Sequence, residues 1–407
     1  MPVILHINAV ANYGSTGKIM ENIGLLAQKR GWTSYIAHGG RYSQPSKLNS
    51  FCISSVTQNR LAVLHTLLTD RHGFALKHTT KRFIRWVDTI NPDIVHLHNI
   101  HSYYINVELL FEYLRMRNIP IVWTLHDCWA FTGHCSHFIM VNCNKWETGC
   151  YECPLKHAFP RTLLLDRSSK NFYDKKHIFT SVSNMKIITV SEWLSNMVKK
   201  SFLSKYSVDV INNGIDTKIF KPTDATDLKL RYGLNDKFIL IAVSTCWCKS
   251  KGLDDYLELR KRLNKDYEII LIGMTSKQIM QYKSSGIICI AKTQSQYELA
   301  QWYSLANIVM NLSYAETFGL PVVEGFACGT PAIVYDDTAL PELVTPETGI
   351  SVTTGNLDEV IKAIDTIRGN KKSLYSEACI RRVRERYDKE NNYNKYINLY
   401  DTMIHNC

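Results

Sequence analysis

Two acids eight positions apart, Glu316 and Glu324, lie in the stretch Ser313-Tyr-Ala-Glu-Thr-Phe-Gly-Leu-Pro-Val-Val-Glu-Gly-Phe-Ala-Cys-Gly-Thr-Pro331. Paired carboxylates can cleave a sugar bond, but only when they face each other ~5–10 Å apart. The elements that must carry these two do not obviously allow that. Ile308–Ser313 is a short apolar run and reads as a buried strand. Thr317 then offers an N-cap, Pro321 suits a first helical turn, and Gly329 and Pro331 end the helix. The order is strand, acidic loop, helix, with Glu316 in the loop and Glu324 about two turns on. In an open α/β sheet, ligands bind at that loop. A helix start there presents free N–H groups and a positive dipole end, suited to a phosphate.

The chain has 407 residues, enough for two domains, and 45% hydrophobic content, as in soluble globular proteins. No apolar run approaches the ~18 residues that a membrane span needs. The start, Met-Pro-Val-Ile-Leu-His, has no charged leader region and reads as a first strand, so a cytoplasmic location is expected. The net charge of +11 favours an anionic partner: nucleic acid, an acidic membrane face or a phosphorylated substrate. Nucleic acid is not expected, because no binding module or basic–aromatic stretch accompanies the charge.

Strand-then-helix patterns alternate along the whole chain. Val3–Val10 runs into Asn12-Tyr-Gly-Ser-Thr-Gly-Lys18, a Gly-rich loop that opens a helix. It is not a Walker A loop, since Asn12 and Ile19 replace that motif's first Gly and its Ser/Thr. Gly14 and Gly17 can still admit a ligand close to the backbone. Thr33–His38 reads as a strand, and the stretch from there to about residue 80 as less regular. Lys81–Val87 interleaves basic and apolar residues, as an ordinary amphipathic helix or one lying on an anionic membrane does. Asp93–His98 is a strand on which His96 and His98 share a face, reading as a packed or hydrogen-bonded pair. Ile119–Asp127 is another strand, ending in His126-Asp127. A linker is expected at Asp216–Pro222, followed by a second alternating series and a charged helical tail over about Leu374–Ile404. The expectation is α/β: two Rossmann-like, doubly wound parallel-sheet domains facing a cleft. The domains are 1–213 and 214–385, with a helix over 386–407 packing back toward the first.

Twelve cysteines are many for a cytoplasmic chain. Cys135, Cys143, Cys150 and Cys153 fall in one insert, 128–157, with Cys128, His134 and His137 nearby. The closing Cys-x2-Cys is zinc-knuckle-like, so a structural zinc on these four is expected, with disulfides or buried free thiols as the alternatives.

The ordered set of motifs resembles the retaining glycosyltransferases of family 4, with the GT-B architecture, over nearly the whole chain. It comprises Glu316-x7-Glu324 in its Gly/Pro frame, the N-terminal Gly-rich loop, Ser191 opening a helix, Asn213-Gly-Ile-Asp216, Lys251-Gly252 and Pro341-Glu342. The Cys-rich insert is most similar to enzymes of bacterial exopolysaccharide, O-antigen and colanic-acid assembly. The resemblance implies a UDP- or GDP-sugar donor held mainly by the C-terminal domain, with no metal or other cofactor needed for catalysis. Glu316 would accept hydrogen bonds from sugar hydroxyls, and Glu324 would hold the ribose diol. Thr317 and the backbone N–H groups of Phe318, Gly319 and Leu320 would cradle sugar and diphosphate. Lys251 would neutralise the leaving diphosphate, and His126 would reach the donor sugar. Attack on the front face, with the leaving phosphate as base, requires no protein nucleophile. Where the family places an Arg five residues before Lys-Gly, this chain has Cys246, and the second diphosphate cation would come from Lys249 or from an Arg elsewhere. The expected acceptor is a lipid-linked glycan, with the enzyme peripheral at the inner face of the cell membrane. A same-fold synthase or phosphorylase with a soluble acceptor, or a non-catalytic glycan- or nucleotide-binding protein, is the alternative.

Overall fold

A computed structural model of the chain describes residues 1–405. The chain divides into two compact units. One is Met1–Ile211 joined by the C-terminal segment from Tyr393, and the other is Asn212–Asn392.

The first unit is built on seven strands: β1 Val3–Asn8, β2 Thr33–Gly39, β3 Asn49–Ser54, β4 Ile94–Leu97, β5 Ile121–Leu125, β6 Met185–Thr189 and β7 Val208–Val210. All neighbours pair parallel, in the order β3-β2-β1-β4-β5-β6-β7. The second unit has six: β8 Phe238–Val243, β9 Tyr267–Ile272, β10 Ile288–Ile290, β11 Ile308–Asn311, β12 Ala332–Tyr335 and β13 Gly349–Val352. They too run parallel, in the order β10-β9-β8-β11-β12-β13. Central strands such as IVWTL and FILIAV are nearly continuous apolar runs because helices cover both sheet faces. In each sheet the chain winds outward, then returns to the other side of its first strand. The reversal falls between β1 and β4, and between β8 and β11, and opens a crevice at the carboxyl ends of those strands.

Three sequence expectations change. The stretch before residue 80 is not irregular: it holds β3, the helix Val56–Thr69 and the start of the helix Lys77–Ile90. Ser55 and Gln58 form a reciprocal capping box that starts the first of these helices. Lys81–Val87 is an amphipathic helix whose apolar side is spoken for. Phe83 and Val87 are buried, and Trp86 stacks on Phe51 at 4.6 Å. The charged tail hides an apolar stripe, Tyr393, Tyr396, Ile397 and Tyr400, at helical spacing on the helix Lys389–His405. That stripe packs in one core with Ile4, Ile94, Val122 and Ile188.

The insert after β5 is held by short 3-10 turns at Trp129–Phe131, Ile139–Val141 and Lys145–Glu147. No described helix is long and apolar enough to cross a membrane.

Candidate active site

In the second unit the expected strand, acidic loop and helix follow in that order: β11, then Leu312–Gly319, then the helix Leu320–Ala327. The helix is pressed onto its strand, since a Cβ on Gly325 would overlap the Val309 side chain. Thr317 does not cap it. The cap is Gly319, at φ +101°, with no side-chain hydrogen bond. Gly319 takes that place because the chain turns there in the left-handed region, and a Cβ would come 2.9 Å from Leu340 and Leu343. Pro321 sits in the first turn, where its missing N–H costs nothing. The Phe318 side chain is buried edge-on to Tyr387, so this residue offers the first turn only its backbone.

A second loop, after β8, is locked against this one. The turn Lys249–Lys251 ends at Gly252, whose φ is +70°. A Cβ there would overlap the Leu312 carbonyl oxygen, so only glycine lets the loops approach. Tyr314 N–H donates to Ser250 O at 3.0 Å. The buried Tyr256 hydroxyl donates to Met310 O at 3.0 Å and accepts from Leu312 N–H at 3.1 Å, clamping the end of β11. The result brings together two residues 65 positions apart. Lys251 Nζ lies 2.6 Å from Glu316 Oε2 and donates to Ala315 O at 3.3 Å. Both side chains keep some contact with solvent, 27% and 20% exposed, so the pair is open to exchange with a ligand. Glu324 stands apart from that pair, on the helix. Its Oε2 accepts a 2.9 Å hydrogen bond from the Tyr303 hydroxyl. Burial, and then the Glu324 charge, push the Tyr303 phenol well above its ordinary range, so it stays a donor. Cys246 is exposed, and Lys249 is exposed on the Lys251 turn.

The first unit holds the other expected residues. Gly14, at φ +61°, begins the helix Gly14–Lys29 with open space where a side chain would be. Gly17 allows the loop to fold tightly, a Cβ there lying 3.1 Å from Val10 O. His126 directly follows β5, outside the strand, and its Nε2 shares a 3.1 Å hydrogen bond with His98 Nδ1. Burial lowers His126 to about 4, against the opposing charge of Asp127, so the ring is neutral at neutral pH. Asp127 is pushed up by burial but pulled lower overall by His101, whose Nε2 lies 2.7 Å from Asp127 Oδ2.

His98 belongs to a buried cluster. His6 pairs in register with His96, and ligand atoms of His6, His96 and His98 all lie within 4.8 Å of one another. His96 has no nitrogen to spare: Nε2 is 2.8 Å from Thr124 Oγ1 and Nδ1 is 2.6 Å from the Tyr400 hydroxyl. Burial lowers all three, His6 to about 3.

Sequence reasoning named Glu316, Glu324, Lys251 and His126 but missed their partners Tyr303, Tyr256 and His98. The alternation of His96 and His98 on one strand was the single available signal for His98. Tyr303 and Tyr256 act across 21 and 54–56 positions of chain and carry no local signature.

Comparison with known proteins agrees with this fold. The family described as "Glycosyltransferase Family 4" matches residues 27–219, and "Glycosyl transferases group 1" matches residues 224–386. The chain belongs to the family 4 glycosyltransferases, with the GT-B fold. It is similar to the putative colanic acid biosynthesis glycosyl transferase WcaC of Escherichia coli K12, at 32% identity over 136 residues, or 31% of this chain and 32% of the relative. It is 25% identical over 320 residues to the alpha-monoglucosyldiacylglycerol synthase of Acholeplasma laidlawii, covering 74% of this chain and 73% of that one. The chain thus spans about a third of the first relative's length and nearly three quarters of the second's. Among solved structures, sucrose-phosphate synthase from Thermosynechococcus elongatus superposes with a TM-score of 0.75 at 16% identity, over 100% of both chains. Anabaena HepE in complex with UDP and glucose gives 0.70 at 13% identity, over 99% of this chain and 100% of that one. At such identities these two likenesses are likenesses of fold.

Proposed function

We propose that this glycosyltransferase moves a hexose from a UDP- or GDP-sugar to a lipid-linked glycan in surface polysaccharide assembly, retaining the anomeric configuration and using no metal. The observation that carries the reading is the Lys251–Glu316 pair at the second sheet's switch point, beside a helix start and with Glu324 on that helix. Before the donor binds, Lys251 and Glu316 satisfy each other. An arriving diphosphate attracts Lys251, and donor sugar hydroxyls take its place on Glu316. Thr317 and the N–H groups of Phe318, Gly319 and Leu320 cradle sugar and diphosphate at the helix start. Glu324, held by Tyr303, takes the ribose diol. Lys251, with Lys249 in place of the family Arg, balances charge as the diphosphate leaves. The first unit, taken by itself, offers neutral His126 as a hydrogen-bond partner for a sugar and, at Gly14, space for a ligand near the backbone. The leaving phosphate accepts the acceptor's proton, so no protein nucleophile is required.

Two observations favour a lipid acceptor at an anionic membrane face, with the protein cytoplasmic and peripheral. The helix Val56–Thr69 exposes Leu61, Leu64 and Leu68 along one face. Beside them the loop carrying exposed Leu163 and Leu164 is tied on by Leu163 N–H donating to Leu67 O at 3.0 Å. Exposed Arg60 and Arg161 flank the leucines, a composition suited to an acidic lipid surface. The name of the monoglucosyldiacylglycerol synthase relative supports the lipid acceptor, and that of the colanic acid biosynthesis relative supports the polysaccharide role. The test is nucleoside diphosphate release from a panel of nucleotide sugars, with and without lipid-linked acceptor. Release with one UDP- or GDP-sugar, stimulated by the lipid-linked acceptor, is expected. Release stimulated only by a soluble acceptor would contradict the lipid reading, and no release with any donor would contradict the transferase reading.

A further inference from the structure

Four of the insert's cysteines, Cys135, Cys143, Cys150 and Cys153, line a single cavity of about 20 Å³ together with Thr132 and His134. That is room for one atom-sized guest. The Cys135 and Cys153 thiols adjoin each other. Cys150 Sγ accepts the Gly133 N–H at 3.1 Å, and glycine is required at 133 because a Cβ would overlap the Ser168 carbonyl oxygen. His134 is the residue that spacing alone did not select. Its Nδ1 lies 2.7 Å from Asp70 Oδ1 with both side chains buried, while its Nε2 is buried without a hydrogen-bond partner. A buried imidazole fixed by a carboxylate at one nitrogen and unpartnered at the other is the usual second-shell arrangement of a metal-bound histidine. Cys143 adjoins Cys150 at the cavity's edge.

A charge argument selects the ligand set. Lys175 is buried against this site, with Nζ donating to Trp129 O at 2.7 Å and Thr132 O at 2.9 Å, 3.5 Å from the Trp129 ring centroid. A zinc ion with three thiolates and a neutral imidazole has a net charge of −1, between the Lys175 side chain and the buried Asp70 carboxylate. Four thiolates would add a second negative charge beside that of Asp70, which is costly in a dry interior. We infer that His134, Cys135, Cys150 and Cys153 form a structural zinc centre with Lys175 as its counter-cation, and that Cys143 stays outside the coordination sphere. On binding, three thiols release their protons to solvent, and the four ligands close to Zn–S of ~2.3 Å and Zn–N of ~2.0–2.1 Å. No open position remains for catalysis. The centre instead orders the loop that begins directly after His126 and Asp127. Among the described residues only the buried histidine trio forms a group of three with ligand atoms already within 4.8 Å of one another, but both nitrogens of His96 are engaged there, whereas the insert's ligands draw together as the metal binds.

The test uses the full chain, produced with zinc in the medium and purified without chelators. Elemental analysis should give about one zinc per chain, and a value near zero would overturn the inference. Thiol titration in denaturant, with chelator and no reductant, should find all 12 cysteines reduced. Four missing thiols would instead establish disulfides. Cys153→Ser and His134→Ala should each lose the zinc, while Cys143→Ser keeps it. Loss with Cys143→Ser and retention with His134→Ala would overturn this ligand set. If a variant does not fold, cobalt substitution of the wild-type chain decides: thiolate-to-metal charge-transfer intensity should correspond to three sulphurs, not four.

Discussion

Tyr303→Phe separates the two acids. The substitution removes one hydroxyl from a fully buried ring and leaves the packing of the helix Gln296–Leu305 in place. What is lost is the 2.9 Å hydrogen bond to Glu324 Oε2. A hydrogen bond to a charged group contributes about 1.5–3 kcal/mol. Glu324 is half-buried, so water replaces part of the loss, and the lower end of that range applies. About 1.5 kcal/mol is roughly a tenfold change in an equilibrium constant. If Glu324 holds the ribose, this loss falls on nucleotide binding. Calorimetry should show the nucleoside diphosphate Kd rising by roughly tenfold, with KM for the donor following and kcat changing by less than about threefold. An unchanged Kd, or a fall confined to kcat, would refute the assignment of Glu324 to the nucleotide and of Tyr303 to its support.

Other expectations follow from the same contacts. Gly252→Ala forces a side chain into the left-handed region and against the Leu312 carbonyl, at least about 1–3 kcal/mol of strain, so Tm should fall by roughly 2–12 °C. An unchanged melting curve would mean the two loops are not locked as described. Below pH 6.5 the unfolded chain binds protons that buried His6 and His126 refuse until about pH 3 and 4. Their contribution to stability is therefore complete above pH 6.5 and declines as pH falls, by about 1.4 kcal/mol per pH unit for each. Denaturant unfolding at pH 7.5 and 5.5 should differ by at least about 2–3 kcal/mol, since buried His96 and His98 act in the same direction, and equal midpoints would contradict the buried neutral state. Replacing Leu61, Leu64 and Leu68 together by Ser should weaken binding to anionic vesicles by at least about tenfold without lowering Tm. Unchanged sedimentation with vesicles would remove that helix from the proposed membrane face.

Much of the fold was legible because parallel strands covered on both faces announce themselves as apolar runs, as β5, β8 and β11 do. The strand, loop and helix around Glu316 could be read from Pro321 and Gly329, though the cap could not. Gly319 is selected by Leu340 and Leu343, which come near only in the folded chain. The helix Val56–Thr69 was missed although its Ser55–Gln58 capping box is a local signal. Its apolar residues lie on more than one side and the leucines face outward, so no periodicity pointed to it. The pairing of Lys251 with Glu316 depends on sheet order, which brings β8 and β11 side by side, and that of Tyr303 with Glu324 on the packing of the helices before and after β11. The buried stripe of the tail was obscured by its charges, since Tyr393, Tyr396 and Tyr400 are spaced among Lys, Asn and Asp residues.

The central claim is that Glu316 acts on the donor sugar while the nucleotide is held elsewhere. Glu316→Ala, assayed for transfer and for nucleoside diphosphate binding in the same preparation, tests it directly. Transfer should be abolished, while binding stays as tight as in the wild type or becomes tighter, because Lys251 is released to meet the diphosphate. Full transfer activity, or loss of nucleotide binding in step with activity, would contradict it.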